Sequence, residues 1–286
     1  MTHADRTSHP DAPVLAAEIT AYYERGGEYN RLREGDGRLE FWRTQDVLRR
    51  LLPPAPARIL DVGGGSGIHA EWLAADGYRV DLVDPVPSHV EQAAGIPRVR
   101  AHVGDARSLD VPEGTAEVVL LLGPLYHLTA RRERVAALAE AHRVLIPGGL
   151  VVAATINRFA GIHDTLNKGA YFDPGLRPQI EAAAHDGRLR AAEGEKSMFT
   201  TAYFHQPEEV PAEFTAAGLT PTGQYGLEGA AWLMGGLASW LDDPGRRELV
   251  LHAMRRTESV PSLLGVSGHV LTAGRKQDDA PDAAGS

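Results

Sequence analysis

Apolar runs of two lengths alternate along the middle of the chain. The short runs are rich in β-branched residues and leucine, as strands are, and the longer segments place apolar residues at helical spacing. The predicted strands are Arg58–Val62, Arg79–Val83, Val99–Val103, Val118–Leu122 and Leu150–Ile156, and the predicted helices between them are Ile68–Ala75, Ser88–Ala94 and Arg131–Leu145. This alternation indicates a parallel sheet built from βαβ units, with helices flanking it.

The segments on either side of this core have patterns of their own. Helical spacing in Val14–Arg25 and Leu39–Leu52 predicts a pair of N-terminal helices. Beyond Ile156 the periodicity weakens up to Lys196, and we interpret that stretch as a cap over the functional site. Regular patterning returns with a helix at Pro207–Ala217, a strand at Thr220–Leu227 and a last strand at Val266–Ala273, and the stretch 229–258 is predicted to be partly helical.

Composition narrows the classes of function. The 286 residues are 43% hydrophobic, enough for one substantial core, and contain no cysteine, which excludes disulfides and thiolate chemistry. A formal charge of -9 argues against a nucleic-acid partner, because that affinity depends on clustered lysine and arginine. No apolar run is long enough to cross a membrane and no secretion-signal pattern is present, so we expect a cytoplasmic protein without a membrane partner.

A glycine-rich turn separates the first predicted strand from the first predicted helix. It has the sequence DVGGGSG at residues 61–67. Glycines at 63, 65 and 67 remove side chains where backbone passes close to a ligand, and the helix N-terminus offers free N–H groups. Ile68 departs from the dinucleotide pattern G-x-G-x-x-G, and no Gly-Lys-Ser/Thr follows to form a phosphate P-loop.

Two carboxylates follow the next two predicted strands. Asp84 ends the second strand, and Asp105 lies between Gly104 and Ala106 after the third. Open α/β sheets bind ligands at the carboxyl ends of their strands, so both acids are expected at one ligand site. Asp84 alone is ambiguous, because dinucleotide enzymes also place an acid there to accept from ribose hydroxyls.

Together with the sequence LIPGG at 145–149, these motifs resemble the class I, Rossmann-like methyltransferases that depend on S-adenosyl-L-methionine (SAM), of the small-molecule type. The resemblance covers about residues 58–156. It implies a seven-stranded, mostly parallel sheet with the last strand antiparallel, helices on both faces, N-terminal lid helices and inserted cap segments. It also implies SAM as the cofactor.

The same resemblance assigns residues to the cofactor. Asp61 would lie near the amino group of SAM, Asp84 would bind the ribose hydroxyls, and Asp105 would bind the adenine amino group. The other cofactor-binding candidates are Gly63, Gly65, Gly67, Pro85, Gly104, Ala106, Leu122, Gly123, Tyr22 and Arg31. Pro85 is a departure from the bulky residue that family members often carry there, and it would alter packing against adenine.

The N-terminal segment 22–32 resembles the lid helices of small-molecule methyltransferases. On that interpretation Tyr22 or Tyr23 covers SAM, and Arg31 or Arg43 pairs with its carboxylate; the alternative is a solvated helix face. The expected organisation is a flexible N-terminus with lid helices at 1–52, a methyltransferase domain at 53–275 with caps at about 157–198 and 229–262, and a disordered tail at 276–286.

Candidate catalytic residues follow the fourth strand and precede the Pro207 helix. Tyr126 and His127 lie where the family places residues beside the transferable methyl, and His127 is either a general base or a structural residue. His205, with its neighbours Tyr203 and Phe204, and Glu228 after the penultimate strand are candidates for the acceptor pocket, with core anchoring as the alternative. His269, inside a predicted strand, is expected to be an interior residue.

The sequence therefore predicts methyl transfer to an O or N atom, or alternatively a C atom, of a small-molecule acceptor. The alternatives are a SAM-binding regulatory protein without catalysis and an NAD(P)-dependent oxidoreductase. No histidine pair has the spacing of a helical metal site, so no metal is expected. The predicted state is a monomer or a homodimer.

Overall fold

The computed structural model describes Ile19 and residues 31–190 and 199–278. Its strands are β1 (Arg58–Val62), β2 (Arg79–Asp84), β3 (Val99–Val103), β4 (Ala116–Leu121), β5 (Leu145–Ile156), β6 (Arg188–Leu189), β7 (Ala202–Tyr203), β8 (Leu219–Gly226) and β9 (His269–Lys276). Seven of them form one sheet in the order β3-β2-β1-β4-β5-β9-β8, and β6 pairs with β7.

The sheet is parallel except at β9. Strands β1 to β5 pair in parallel, whereas β9 runs antiparallel to both β5 and β8. The order reverses direction at β1, which has β2 on one side and β4 on the other. Parallel sheets of this type bind ligands outside the carboxyl ends of the strands at such a switch point. The predicted fold class is confirmed.

Helices cover both faces of the sheet. They are α1 (Gly37–Leu51), α2 (Ile68–Ala75), α3 (Pro87–Ala94), α4 (Pro124–His127), α5 (Arg131–Val144), α6 (Ala160–Asn167), α7 (Arg177–Asp186), α8 (Glu209–Ala216), α9 (Leu237–Asp242), α10 (Pro244–Thr257) and α11 (Pro261–Leu264). On one face, Leu138 of α5 and Phe214 of α8 pack with Val119. On the other, Leu48 of α1 and Leu73 of α2 pack with Leu120. Successive residues of β4 thus serve opposite faces, as a buried strand requires.

The largest boundary errors concern the fifth and last strands. β5 begins at Leu145 because Leu145 pairs with Ala116, before an irregularity in the pairing at residues 146–149. The last strand begins at His269 and not at the predicted Val266. The N–H groups of Val266 and Ser267 donate to carbonyls of Leu263 and Leu264, so both residues belong to a turn.

The stretch after β5, predicted as a cap, contains two short helices. α7 has Pro178 in its first turn and ends at Gly187, which is left-handed at φ 81°. The backbone of His205 bonds to Ile156 and Arg158, which ties the far end of this segment to the end of β5. Residues 191–198 of the predicted cap, most of the predicted N-terminal segment and tail residues 279–286 lie outside the described residues.

Candidate functional site

A cavity of about 700 Å³ opens at the carboxyl ends of the parallel strands. Sites for small ligands typically measure roughly 300–1,000 Å³. Most predicted cofactor residues line it: Arg31, Asp61, Gly63, Gly65, Asp84, Pro85, Gly104, Asp105, Ala106, Leu122 and Gly123. Gly67 is not among the lining residues, and Tyr22 lies outside the described residues.

The glycine turn brings bare backbone to the cavity wall. Gly63 and Gly65 have φ angles of 70° and 57°, which L side chains rarely adopt. A Cβ at Gly63 would lie 2.6 Å from Pro124, whereas a Cβ at Gly65 would meet no atom within 4 Å and would extend into open space. Gly67 serves the packing of the turn instead, because it precedes α2 at φ 91° and a Cβ there would lie 2.5 Å from Ile96.

Asp61 is a buried carboxylate with no partner. It is 1% exposed, and among the described residues neither of its carboxylate oxygens has a hydrogen-bond partner. Burial, assisted by the negative charge of Asp84, raises its pKa to about 7. A buried charge without a partner is unfavourable, so a cationic ligand group in the cavity would relieve the cost. This side chain fits the amino group of SAM.

Asp84 is held by the backbone of both neighbouring turns. Its Oδ2 accepts from Gly65 N at 2.9 Å, and its Oδ1 accepts from Val86 N at 2.9 Å. His89 Nδ1 lies 3.1 Å from the same Oδ1. The carboxylate thereby fixes the glycine turn against the end of β2, and its remaining lone pairs are available for ribose hydroxyls.

Asp105 is paired more tightly than the sequence indicated. The Nε of Arg107 donates to its Oδ1 at 2.9 Å and Nη2 donates to its Oδ2 at 2.8 Å. Arg107 also contacts Glu133 at 3.0 Å. The carboxylate keeps lone pairs for an adenine amino group, and Arg107 fixes its orientation.

Tyr126 and His127 line the cavity beyond β4, on α4. Their rings meet edge to face at 4.7 Å between centroids, and Phe199 stacks on His127 at 5.9 Å. Burial lowers the pKa of His127 to about 4. The contact of its Nδ1 with the Thr201 carbonyl at 3.5 Å acts in the opposite direction but is outweighed. The ring is therefore neutral at pH 7 and a weak proton acceptor, which favours its structural role over the role of base.

His205, the third predicted catalytic residue, does not line the cavity. It is 1% exposed, and its Nε2 lies 3.7 Å from Glu213. Glu213 forms a buried ion pair with Arg134 at 2.7 Å, and the guanidinium lies 3.8 Å from the centroid of the Tyr203 ring. This location matches the core-anchor alternative, so the structure gives no support to catalysis by His205.

Replacing Glu213 by alanine should lower the free energy of unfolding by about 3–5 kcal/mol, because Arg134 is left as a buried charge without its partner. Urea denaturation measures the loss. The control Glu113→Ala removes an exposed carboxylate in a turn and should change the same free energy by less than about 0.5 kcal/mol. A loss below about 1 kcal/mol for Glu213→Ala would show that the pair does not stabilise the fold.

The cavity also contains a charged cluster of which the sequence predicted only Arg31 and Glu228 as site residues. His269 Nδ1 lies 2.6 Å from Glu228 Oε1 and 3.6 Å from Glu40 Oε2. Arg31 Nη1 donates to Glu40 Oε2 at 2.6 Å. We define Arg31, Glu40, Glu228 and His269 as the His269 cluster. Arg31, Glu40 and His269 line the cavity, so His269 is not the purely interior residue that was expected.

The charges of this cluster hold each other ionised. Burial alone would lower the pKa of His269, but Glu40 and Glu228 outweigh it and raise the value to about 9. Burial would likewise raise the pKa of Glu40, but Arg31 and His269 lower it to about 2. At pH 7 the imidazole is therefore a cation between two carboxylates.

Two further findings concern predicted partners. Among the described side chains, Glu40, Glu228 and His269 are the group whose potential metal-ligand atoms lie within 4.8 Å of one another. Their two carboxylates already have cationic partners, since Arg31 pairs with Glu40 and His269 pairs with Glu228. The prediction of no metal stays a prediction. No helix within 31–190 and 199–278 has the length and apolar character needed to span a membrane.

The arginines of the N-terminal segment have protein partners. Arg31 is bound to Glu40, and Arg43 is fully buried and bound to Asp46, Glu258 and the carbonyl of Leu227. Arg43 is not among the residues that line the cavity. Of the two, only Arg31 is placed to reach a ligand, and its contact with SAM stays a prediction.

The sequence of this chain is similar to those of known methyltransferases. Residues 59–149 match the family model described as a methyltransferase domain. An uncharacterised methyltransferase of Mycobacterium bovis is 33% identical over 100 residues, 35% of this chain and 40% of that protein. A ubiquinone biosynthesis O-methyltransferase of Methylocella silvestris is 29% identical over 196 residues, covering 65% of this chain and 68% of that protein. The chain thus spans about two-fifths of the length of the mycobacterial relative.

Solved structures share the fold at low identity. A putative S-adenosylmethionine-dependent methyltransferase from Listeria monocytogenes superposes with a TM-score of 0.56 at 15% identity, covering 84% of this chain and 99% of the other. At that identity the likeness concerns the fold.

Proposed function

We propose that this chain, which belongs to the class I family of SAM-dependent methyltransferases, transfers a methyl group from SAM to an oxygen or nitrogen atom of a small molecule. The predicted family and its cofactor are confirmed. The acceptor, the methylated atom and the roles of individual residues are proposals. A carbon acceptor is the less favoured variant.

The unpartnered carboxylate of Asp61 is the observation that carries the cofactor site. It is buried at the carboxyl end of β1, beside bare backbone at Gly63 and Gly65. We assign Asp61 to the amino group of SAM and Asp84 to its ribose. Asp105, oriented by Arg107, is assigned to the adenine. When bound, SAM supplies a methyl group activated by a sulfonium, so the chain contributes mainly alignment, which supplies about 7–11 kcal/mol in well-oriented reactions.

Three observations support a small acceptor. The chain has a formal charge of -9, which disfavours a nucleic-acid substrate. The cavity continues past the proposed cofactor residues to His269 and Leu271. This part of the cavity, lined by polar and apolar side chains, has room for a small molecule only. The Methylocella relative is named as an O-methyltransferase of ubiquinone biosynthesis. No residue of 157–190 is among those that line the cavity, so the predicted cap stays a prediction. We propose a cytoplasmic monomer or homodimer.

Methyl transfer is tested with SAM labelled in its methyl group and a panel of small phenols, carboxylic acids and amines. Turnover of at least one class is expected, with S-adenosylhomocysteine (SAH) formed in equal amount. SAM binding without transfer to any class would overturn catalysis in favour of the SAM-binding regulatory alternative. Binding of NAD in place of SAM would favour the oxidoreductase alternative.

A further inference from the structure

The His269 cluster lies at the opposite end of the cavity from the adenosine residues. His269 is the first residue of β9 and pairs with Ile156 at the end of β5. Three steps across the sheet separate β9 from β1, which is roughly 14 Å at about 4.8 Å per strand. His269 therefore lies well to one side of Asp61, Asp84 and Asp105, the residues assigned to the cofactor, and we take this part of the cavity as the acceptor end.

Glu228 holds the imidazole of His269 in one orientation. Its Oε1 bonds to His269 Nδ1 at 2.6 Å, and its Oε2 accepts from the backbone N of His269 at 2.9 Å and from Ser267 Oγ at 2.8 Å. Both carboxylate oxygens are thus committed. An imidazole held through Nδ1 by a carboxylate presents Nε2 in a fixed direction, the geometry that proton-handling histidines use.

The second ring nitrogen is available to a ligand. Within the described part of the chain no atom hydrogen-bonds to His269 Nε2, and this atom is not among the buried atoms that lack a partner. The side chain keeps 21% of its surface accessible and lines the cavity. Nε2 is therefore positioned to bond to a molecule in the acceptor end.

We propose that His269, oriented by Glu228 and Glu40, donates from Nε2 to the reacting oxygen of the acceptor and binds it as an oxyanion, so that the acceptor is a phenol, catechol or enol. The proposal rests on the proposed function and names its acceptor class.

The charges around the imidazole favour this class. Glu40 on α1 and Glu228 after β8 face Nδ1, Arg31 balances Glu40, and the neutral His69 lies near Glu40. Arg31, Glu40, Glu228 and His269 together carry no net charge, so the cluster itself does not repel an incoming oxyanion. A phenol-type hydroxyl has a pKa near 10, close to the value of about 9 for His269. An imidazolium donor is matched to such an oxygen, whereas an aliphatic hydroxyl is far too weak an acid.

The proton balance is simple. The acceptor O–H bond breaks, and its electron pair stays on the oxygen. The proton passes to Nε2 if the imidazole is neutral, or to water if the imidazole is already protonated. Both routes end with the same imidazolium–oxyanion pair.

The test uses 4-nitrophenol as the probe, because its absorbance reports ionisation, with the full chain saturated with SAH. Bound 4-nitrophenol should ionise at a pH at least one unit below that of the free compound. His269→Asn should abolish this shift and leave the Kd for SAM within about threefold. The control His252→Asn replaces an exposed histidine on α10 and should retain the shift.

A second measurement determines the pKa of His269 directly in the folded wild-type protein. Nitrogen NMR of histidine-labelled protein should give His269 a pKa well above 6.5, and Glu228→Gln should lower that pKa by at least one unit. Titration near 6.5, equal ionisation of the probe in His269→Asn, or no binding of the probe by the SAH-loaded wild type would each overturn the proposal. A loss of SAM affinity in His269→Asn with unchanged probe binding would overturn it too and assign His269 to the cofactor. Failure of the wild type to bind SAM would instead refute the proposed function.

Discussion

Gly65→Ala is expected to weaken SAM binding roughly 100-fold, because a new methyl group would occupy the ligand side of the turn and overlap of this kind costs about 1–3 kcal/mol. Gly65 lines the cavity, and a Cβ there meets no protein atom within 4 Å. The fold should lose only about 1–2 kcal/mol, the usual cost of a left-handed non-glycine residue. Isothermal titration with SAM and urea denaturation measure the two effects.

Gly114→Ala is the matched control for this substitution. Gly114 also has a positive φ, 63°, and its Cβ would also meet nothing within 4 Å, but it lies in the turn before β4 and does not line the cavity. The same loss of stability is expected with an unchanged Kd for SAM. Equal SAM affinity in the two variants would show that the glycine turn does not touch the cofactor.

Asp61→Asn is expected to weaken SAM binding and to stabilise the protein without ligand. A hydrogen bond to a charged group contributes about 1.5–3 kcal/mol, so its loss should raise the Kd for SAM roughly 10- to 100-fold. The free energy of unfolding should rise by about 1–3 kcal/mol at pH 8, because a buried carboxylate without a partner is replaced by a neutral amide.

The pH dependence of Asp61 has a defined sign. Its pKa is raised in the folded state from 3.8 to about 7, so between about pH 4 and pH 7 the folded protein holds a proton that the unfolded chain has released. The contribution of Asp61 to stability therefore falls as pH rises through this window and is most unfavourable above pH 7. The affinity of the wild type for SAM should increase from pH 6 to pH 8, and that of Asp61→Asn should not.

Asp81→Asn is the control for Asp61→Asn. It distinguishes the loss of an unpartnered buried carboxylate from the loss of any buried carboxylate. Asp81 lies on β2 and is also buried, but its oxygens accept from Arg58 and Arg100, each at 2.7 Å. Its replacement should lower stability and leave SAM binding unchanged. A loss of stability in Asp61→Asn as well would contradict the view that Asp61 awaits a cationic partner.

The sequence predicted the cofactor half of the site because its parts are local. Asp61, Gly63 and Gly65 lie within five residues of one another, Asp84 ends β2, and Asp105 lies two residues after the end of β3. In a parallel sheet the ends of neighbouring strands meet at one edge, so strand order alone brings these residues together. Ranges for β1, β3 and α2 were predicted without error.

The acceptor half was not predicted as a unit, because its residues meet only through long-range contacts. His269 and Glu228 are 41 positions apart and meet because β9 runs antiparallel to β8. Glu40 reaches them from α1, before the sheet begins. No spacing in the sequence distinguishes His269 from an ordinary strand histidine. His205 was a plausible candidate by the same reasoning, yet the fold turns it towards Glu213 and away from the cavity.

The most direct test of the cofactor site is titration of the full chain with SAM, SAH and NAD at pH 8 by isothermal calorimetry. The arrangement of Asp61, Asp84 and the glycine turn predicts one molecule of SAM or SAH per chain and no binding of NAD. Absence of SAM binding, or binding of NAD that excludes SAM, would contradict it.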